Sequence, residues 1–480
     1  MRKTGLFKII MFILLGIVVT TWIFSASYIN NGELVELGMY NVGFFDFFQL
    51  LFGSFEFEYF IQIFILLVSI GALYGVLGKT GKYRAWIEKV ANKMKGSEVI
   101  FLLATAFVIA ALTSVFDYGL SMFIFFPLLI SIILAMGYDK VTAALTTFGA
   151  MLVGTIGNTI SYNTAGTISS ILSAESSTGI YFKIALFVLS LAALFFFLVK
   201  AKRTKILNKN ADEDMFIGEK SSNKYSIVPI IVVLSVLFVL MVIGCTNWSK
   251  EFNINFFSDL NSTITKAEVK LPHFHVTTDG VDAKVEKVAI FGKLFGTVSA
   301  FGEWYYSEMA VMCLLAALII GAFFRMKWSE RLSYMAEGAK KMLAPALLVV
   351  LSYTVIYFAG NTMFYTTIAN LLLSITSKFN IFFSTIVAII GSALHVDILY
   401  VANYVVPQLA TQDVNTTLIA ILVQSIYGVT MFVAPTSIAV ILGLSYLNIP
   451  YKEWIKKTWK LVLTLFAIVV VVLIAAMIIL

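Results

Sequence analysis

Charge is scarce in this chain. Of its 480 residues only 13% are Asp, Glu, Lys or Arg, while 60% are hydrophobic and the mean hydropathy is +0.93. A soluble fold of this length cannot bury so much apolar surface, so lipid must solvate much of it. Cysteine is scarce too: Cys245 and Cys313 both lie in or beside apolar runs, which excludes a disulfide framework. The three histidines are scattered, and neither a His-Glu-x-x-His nor a Gly-x-Gly-Asp pattern occurs, which argues against an intramembrane enzyme. The net charge of +7 is spread out, with no basic stripe interleaved with aromatics, so no nucleic-acid partner is expected.

What the chain does have is a series of apolar runs, each long enough to cross a roughly 30 Å hydrocarbon core. The first, Leu6 to Tyr28 behind Arg2 and Lys3, reads as a retained span, being too long for the core of a signal peptide. Lys and Arg cluster in 79–95, 200–224, 325–341 and 452–460, which are expected to face the cytoplasm. The stretch 29–58 holds Glu33, Glu36, Asp46, Glu56 and Glu58 without a basic residue and is expected outside. These anchors predict crossings at 9–28, 59–78, 181–199, 226–245, 308–325 and 460–480 of a bacterial inner membrane, with the amino terminus cytoplasmic and the carboxyl terminus external.

The two halves of the chain match when aligned on their polar loops. Gly78-Lys-Thr80 pairs with Gly360-Asn-Thr362, Asp117 stands before Pro127 as Asp397 does before Pro407, and Gly157-Asn158-Thr159 answers Ala434-Pro435-Thr436. Gly53 and Gly338 are expected to end corresponding interfacial segments. The first copy's hairpin is flanked by basic residues and the second only by Lys378, so the copies read as mutually inverted. The expected fold is an all-α polytopic membrane protein of two inverted repeats, with about nine spans, two re-entrant helical hairpins and two broken helices. Residues 1–199 form the first repeat, with hairpin 98–137 and broken helix 141–174. Residues 200–305 hold a linker, the connecting span 226–245 and an external insertion, 246–305. Residues 306–480 form the second repeat, with hairpin 381–411 and broken helix 414–449. Within the insertion, 267–276 and 281–289 predict a β-hairpin through Asp279-Gly280; strand alternation accounts for His273 and His275 without a metal.

A helix broken inside a bilayer must line a cavity or be buried in protein. The breaks supply Asn158 and Thr159 in one half and Pro435, Thr436 and Ser437 in the other, with Asn163 further along the first broken helix. Half-helix amino ends would offer N–H groups to an anion, and carboxyl ends carbonyls to a cation. Asp117 and Asp397 are the more telling pair, because an ionised carboxylate at mid-membrane costs roughly 2.5–3.5 kcal/mol on insertion scales. No Lys or Arg lies in 98–137 or between Lys378 and Lys452, so a proton, a metal cation or a cationic substrate is the expected partner. His395 is placed to share a proton with Asp397. Phe116, Tyr118, Tyr400 and Tyr404 crowd the tips, as packing or as a cation-π wall.

In Gly43-Phe-Phe-Asp46, Phe126-Pro127 to Asp139, Trp304 to Ala310, Glu337-Gly338-Ala339 and Ala434 to Trp454 the chain resembles the YfcC-like branch of the anaerobic dicarboxylate carriers. The resemblance implies dicarboxylate or basic amino acid transport by a homodimer moving in elevator fashion. It departs from the family at both tips, where Leu120-Ser121 and His395 to Tyr400 replace the usual paired glutamate and Pro-Ser-Gly-Ser-Gly-like turn. The expectation is a secondary transporter of a small polar metabolite, a basic or zwitterionic amino acid such as arginine or ornithine. A sodium- or proton-coupled dicarboxylate or other organic-anion carrier is the alternative. Neither needs a cofactor beyond a coupling sodium ion or proton.

Overall fold

In the computed structural model the described residues are 5–30, 33–38, 41–203, 210–218, 225–278, 281–296, 299–376, 379–412 and 414–480. Among them, eight helices are long and apolar enough to cross a membrane, and almost all remaining structure is helical.

The same order of elements occurs twice. Glu58–Lys79, the short amphipathic Lys82–Lys93, a hairpin of Glu98–Val115 and Phe126–Ala135, a helix broken between Ile156 and Tyr162, and Ile180–Val199 make the first succession. Trp328–Asn361, Phe364–Leu373, a hairpin of Ile381–His395 and Ile398–Ala410, a helix broken between Val433 and Ile438, and Tyr451–Ile479 make the second. Counterparts pack on each other: Glu58–Lys79 on Trp328–Asn361, Ala150–Ile156 on Thr416–Val433, and Ile180–Val199 on Tyr451–Ile479. Side-chain caps start several of these helices. Asp139, Ser161, Asn380, Asp397, Asn415 and Ser437 each accept a backbone N–H of the first turn that has no partner within its helix.

The crossing of Glu58–Lys79 and Trp328–Asn361 depends on glycine. A Cβ on Gly338 would stand 2.1 Å from the Gly71 carbonyl oxygen, and one on Gly75 2.3 Å from that of Tyr334. Backbones that close admit no side chain, the usual way membrane helices gain packing without a hydrophobic driving force. Gly338 therefore does not end an interfacial segment, as its alignment with Gly53 suggested; it lies inside a 34-residue helix.

Other boundaries differ as well. The first helix is only Leu6–Thr20, because Ala26–Asn30 leaves as a strand paired antiparallel with Glu33–Gly38. At about 1.5 Å per residue its 15 residues reach roughly 22 Å, short of the predicted span 9–28. The last helix begins at Tyr451, so the basic stretch 452–460 is its first turns and not a loop. The insertion does hold the expected hairpin, Val269–Thr278 against Val281–Val288, together with the unforeseen helices Trp248–Phe252 and Phe256–Lys266. The His273 and His275 side chains, Lys378 and the turn at Asp279-Gly280 lie outside the described residues.

Candidate substrate site

Both hairpin tips and both breaks converge on one cavity of about 390 Å³, inside the roughly 300–1,000 Å³ range usual for small-molecule sites. Asp117 and Asp397 both line it, although they stand in different halves of the chain. Among the described residues its lining carries a third acid, Glu303, and no Lys, Arg or His.

Each acid sits at a strained turn. Asp117 itself has φ 47°, and Val396, just before Asp397, has φ 54°, a conformation costly for a β-branched residue. The Asp117 carboxylate accepts from the Thr164 hydroxyl, and its backbone carbonyl from Asn163 Nδ2 at 2.9 Å. Asp397 caps its helix by accepting Leu399 N–H on Oδ1 at 3.0 Å. Its Oδ2 accepts from Tyr59 at 3.0 Å and Tyr353 at 2.7 Å, one phenol from each of the two crossed helices.

The breaks are stitched to the hairpins of their own halves. Asn158 Nδ2 donates to the Thr113 carbonyl at 2.9 Å, and Thr436 Oγ1 to the Ala393 carbonyl at 2.6 Å. Thr113 and Ala393 each stand four positions ahead of their hairpin's aspartate. Thr159 donates to the Ser114 carbonyl from N at 2.8 Å and from Oγ1 at 3.0 Å. The carbonyls freed by the breaks are also engaged. Ser114 takes Gly157 at 2.7 Å, Gln424 takes Asn158 at 2.7 Å, Trp454 takes Phe432 at 2.8 Å, and the Tyr451 hydroxyl takes Val433. Each of these carbonyls thus has a protein donor.

The predicted residues thus divide. Asp117, Tyr118, Asn163, Asp397 and Ser437 line the cavity, whereas Asn158, Thr159, Pro435 and Thr436 lie behind it and hold the breaks. His395 does not serve Asp397. It is fully buried inside its hairpin, with Nδ1 2.9 Å from the Gly391 carbonyl oxygen and its ring stacked on Tyr404 at 4.5 Å. The break region also has a basic neighbour that the sequence reading left out. Lys183, buried, reaches the Ser176 carbonyl at 2.8 Å and the Thr159 carbonyl at 3.5 Å, though it does not line the cavity.

The site also contains residues without any spacing signal. Tyr59 stands among Tyr305, Tyr306, Tyr353 and Tyr400 with ring centroids 5.8–6.4 Å away, forming an aromatic wall beside Asp397. Tyr118 stacks on Phe116 and shares a 2.9 Å hydrogen bond with Thr246, which ties the first tip to the start of the insertion.

Comparison with known proteins gives the chain its family. A protein of Haemophilus influenzae is 20% identical over 410 residues, 82% of this chain and 71% of its own length. A candidate basic amino acid antiporter of Escherichia coli, YfcC, is 22% identical over 311 residues, 63% of this chain; the match spans about half, 52%, of YfcC. The crystal structure of the YdaH transporter of Alcanivorax borkumensis covers 97% of both chains at 13% identity and a TM-score of 0.40, too loose a likeness to bear on the site. The family described as the C4-dicarboxylate anaerobic carriers matches residues 4–478. This chain therefore belongs to that carrier family, and is a membrane transporter and not an enzyme.

Proposed function

We propose that this carrier moves a basic or zwitterionic amino acid of the arginine or ornithine type, by exchange or by ion-coupled uptake. The observation that carries this reading is a cavity lined by Asp117, Asp397 and Glu303 and, among the described residues, by no basic side chain. A cationic group would be drawn between the two tip carboxylates and against the tyrosine wall, where cation-π attraction adds to charge pairing. The α-carboxylate would be met by the backbone N–H groups of Ile438 and Ala439, which line the same cavity where the second half-helix begins. YfcC, the candidate basic amino acid antiporter, supports the same substrate class.

In this reading the two successions of elements are inverted repeats and the crossed helices are the fixed frame. The hairpins with their breaks move past it in elevator fashion within a homodimer of the inner membrane. The charge pattern supports a cytoplasmic amino terminus and an external carboxyl terminus. The alternative, a sodium- or proton-coupled carrier of dicarboxylates or other organic anions, is favoured by the family's description and by the same backbone N–H groups.

Uptake of radiolabelled arginine, ornithine and succinate into proteoliposomes separates the two. The proposal expects basic amino acid flux that is lost in Asp117→Asn with Asp397→Asn. Unchanged flux in that double variant refutes the role given to the acids, and a sodium-dependent succinate flux selects the alternative.

A further inference from the structure

Two half-helix amino ends face this cavity, and they are not equally free. At the second break Ser437 Oγ accepts the Val440 N–H at 3.4 Å, and among the described residues no protein acceptor meets the N–H of Ile438 or Ala439. At the first break the chain resumes as 162–171, with Tyr162, Asn163 and Thr167 on the same cavity wall. Here the leading N–H is taken: Glu251 Oε1 accepts it from Tyr162 at 2.9 Å.

Glu251 belongs to neither succession of elements. It comes from Trp248–Phe252 of the insertion, and Lys250 beside it fixes the contact by donating to the Tyr162 hydroxyl while standing 4.3 Å above that ring. The second carboxylate oxygen of Glu251, Oε2, is buried with no partner among the described residues. A buried oxygen left without a donor is costly, and the contact that offsets it is an anion at a helix start, where N–H groups and the backbone dipole favour negative charge. The insertion thus places the chain's own carboxylate where the corresponding end, at Ile438 and Ala439, stands open.

We propose that Glu251 is a specificity-determining residue: a tethered carboxylate that fills the first amino end, leaves one end for a substrate carboxylate, and so admits an amino acid while excluding a dicarboxylate. This rests on the reading of the cavity as the substrate site. Like charge reinforces the exclusion, since a dianion entering the cavity would face Asp117, Asp397 and Glu303.

The test uses the full-length carrier in proteoliposomes, with succinate as competitor of arginine and ornithine uptake. In Glu251→Ala the vacated end is expected to raise the inhibitory potency of succinate roughly tenfold or more, the scale set by one well-placed helix-end anion contact. Glu251→Gln, which keeps the shape and removes the charge, is expected to give a smaller gain in the same direction and serves alone if the alanine variant does not fold. Unaltered succinate inhibition in the variants, with basic amino acid uptake intact, overturns this proposal and leaves the substrate reading standing. A wild-type carrier that takes up succinate as readily as arginine overturns it without any variant. Loss of the substrate reading shows separately, as flux that ignores Asp117→Asn with Asp397→Asn.

Discussion

Gln424 donates through Nε2 to the carbonyl oxygen of Asn158 at 2.7 Å, a bond that runs from one broken helix to the interruption in the other. The same amide lies 3.4 Å from the Ile156 carbonyl, so one side chain serves two carbonyls released where the first helix stops. Gln424→Leu removes both donors at a fully buried place. It is expected to destabilise the carrier by about 1–3 kcal/mol, the usual cost of stranding buried polar groups, seen as a lower melting temperature in detergent.

Asp397 is held by two phenols, and the shorter bond comes from Tyr353. Tyr353→Phe is expected to cost about 1 kcal/mol of stability, a typical net hydrogen bond. It should raise KM for the cationic substrate several-fold while leaving the protein monodisperse. A variant with unchanged KM would show that the orientation of the Asp397 carboxylate is irrelevant to binding.

Gly338→Leu should fail at assembly and not at transport. Its Cβ alone would meet the backbone of Gly71 and Gly75, which cannot give way as a flexible side chain would. Size-exclusion chromatography is expected to show loss of the folded species, whereas Gly96→Ala, where a Cβ meets nothing within 4 Å, keeps it despite a φ of +90°.

Cys245 lines the cavity and Cys313 is buried elsewhere in the core. A small methanethiosulfonate reagent is expected to label Cys245 selectively, and saturating substrate to slow that labelling. Equal rates with and without substrate would place the ligand outside this cavity.

Burial pushes the Glu251 carboxyl up to about 7 from an ordinary 4.5; nearby Asp117 adds to the rise, and the Tyr162 N–H opposes it. Because its pKa is higher in the folded state, its contribution to stability is present below about 4.5 and lost as pH climbs through about 7. Glu251→Gln should therefore gain in melting temperature relative to wild type across that interval, with Lys250 beside it unchanged in both proteins.

The aspartates were legible because an acid in a long apolar run is conspicuous, and the hairpins because the charge of the flanking loops marks where the chain turns back. Of the tyrosine wall only Tyr400 was, through its place beside the second tip. Tyr59 is 338 positions from Asp397, and among 21 tyrosines none is marked by spacing. Gln424 and Glu251 escaped for the same reason: their partners are remote backbone groups that leave no pattern in sequence. His395 misled through adjacency, since the positive φ at Val396 sends neighbouring side chains to different places. Hydropathy overextended the first helix because apolar residues at its end continue into a strand, and a window average does not register the change of backbone.

The stitches from Asn158 to Thr113 and from Thr436 to Ala393 make each acidic tip and its own break a single mechanical piece, while the phenols that hold Asp397 are rooted in the two crossed helices. In the elevator reading proposed above, sliding that piece along the frame would strip Asp397 Oδ2 of both phenol donors in one step, leaving only the Leu399 N–H on Oδ1. An empty carrier would then carry a carboxylate with one oxygen left without a donor, whereas a loaded one brings its own replacement donor. Occupancy would thereby license the journey, which is the property an exchanger needs to avoid running idle.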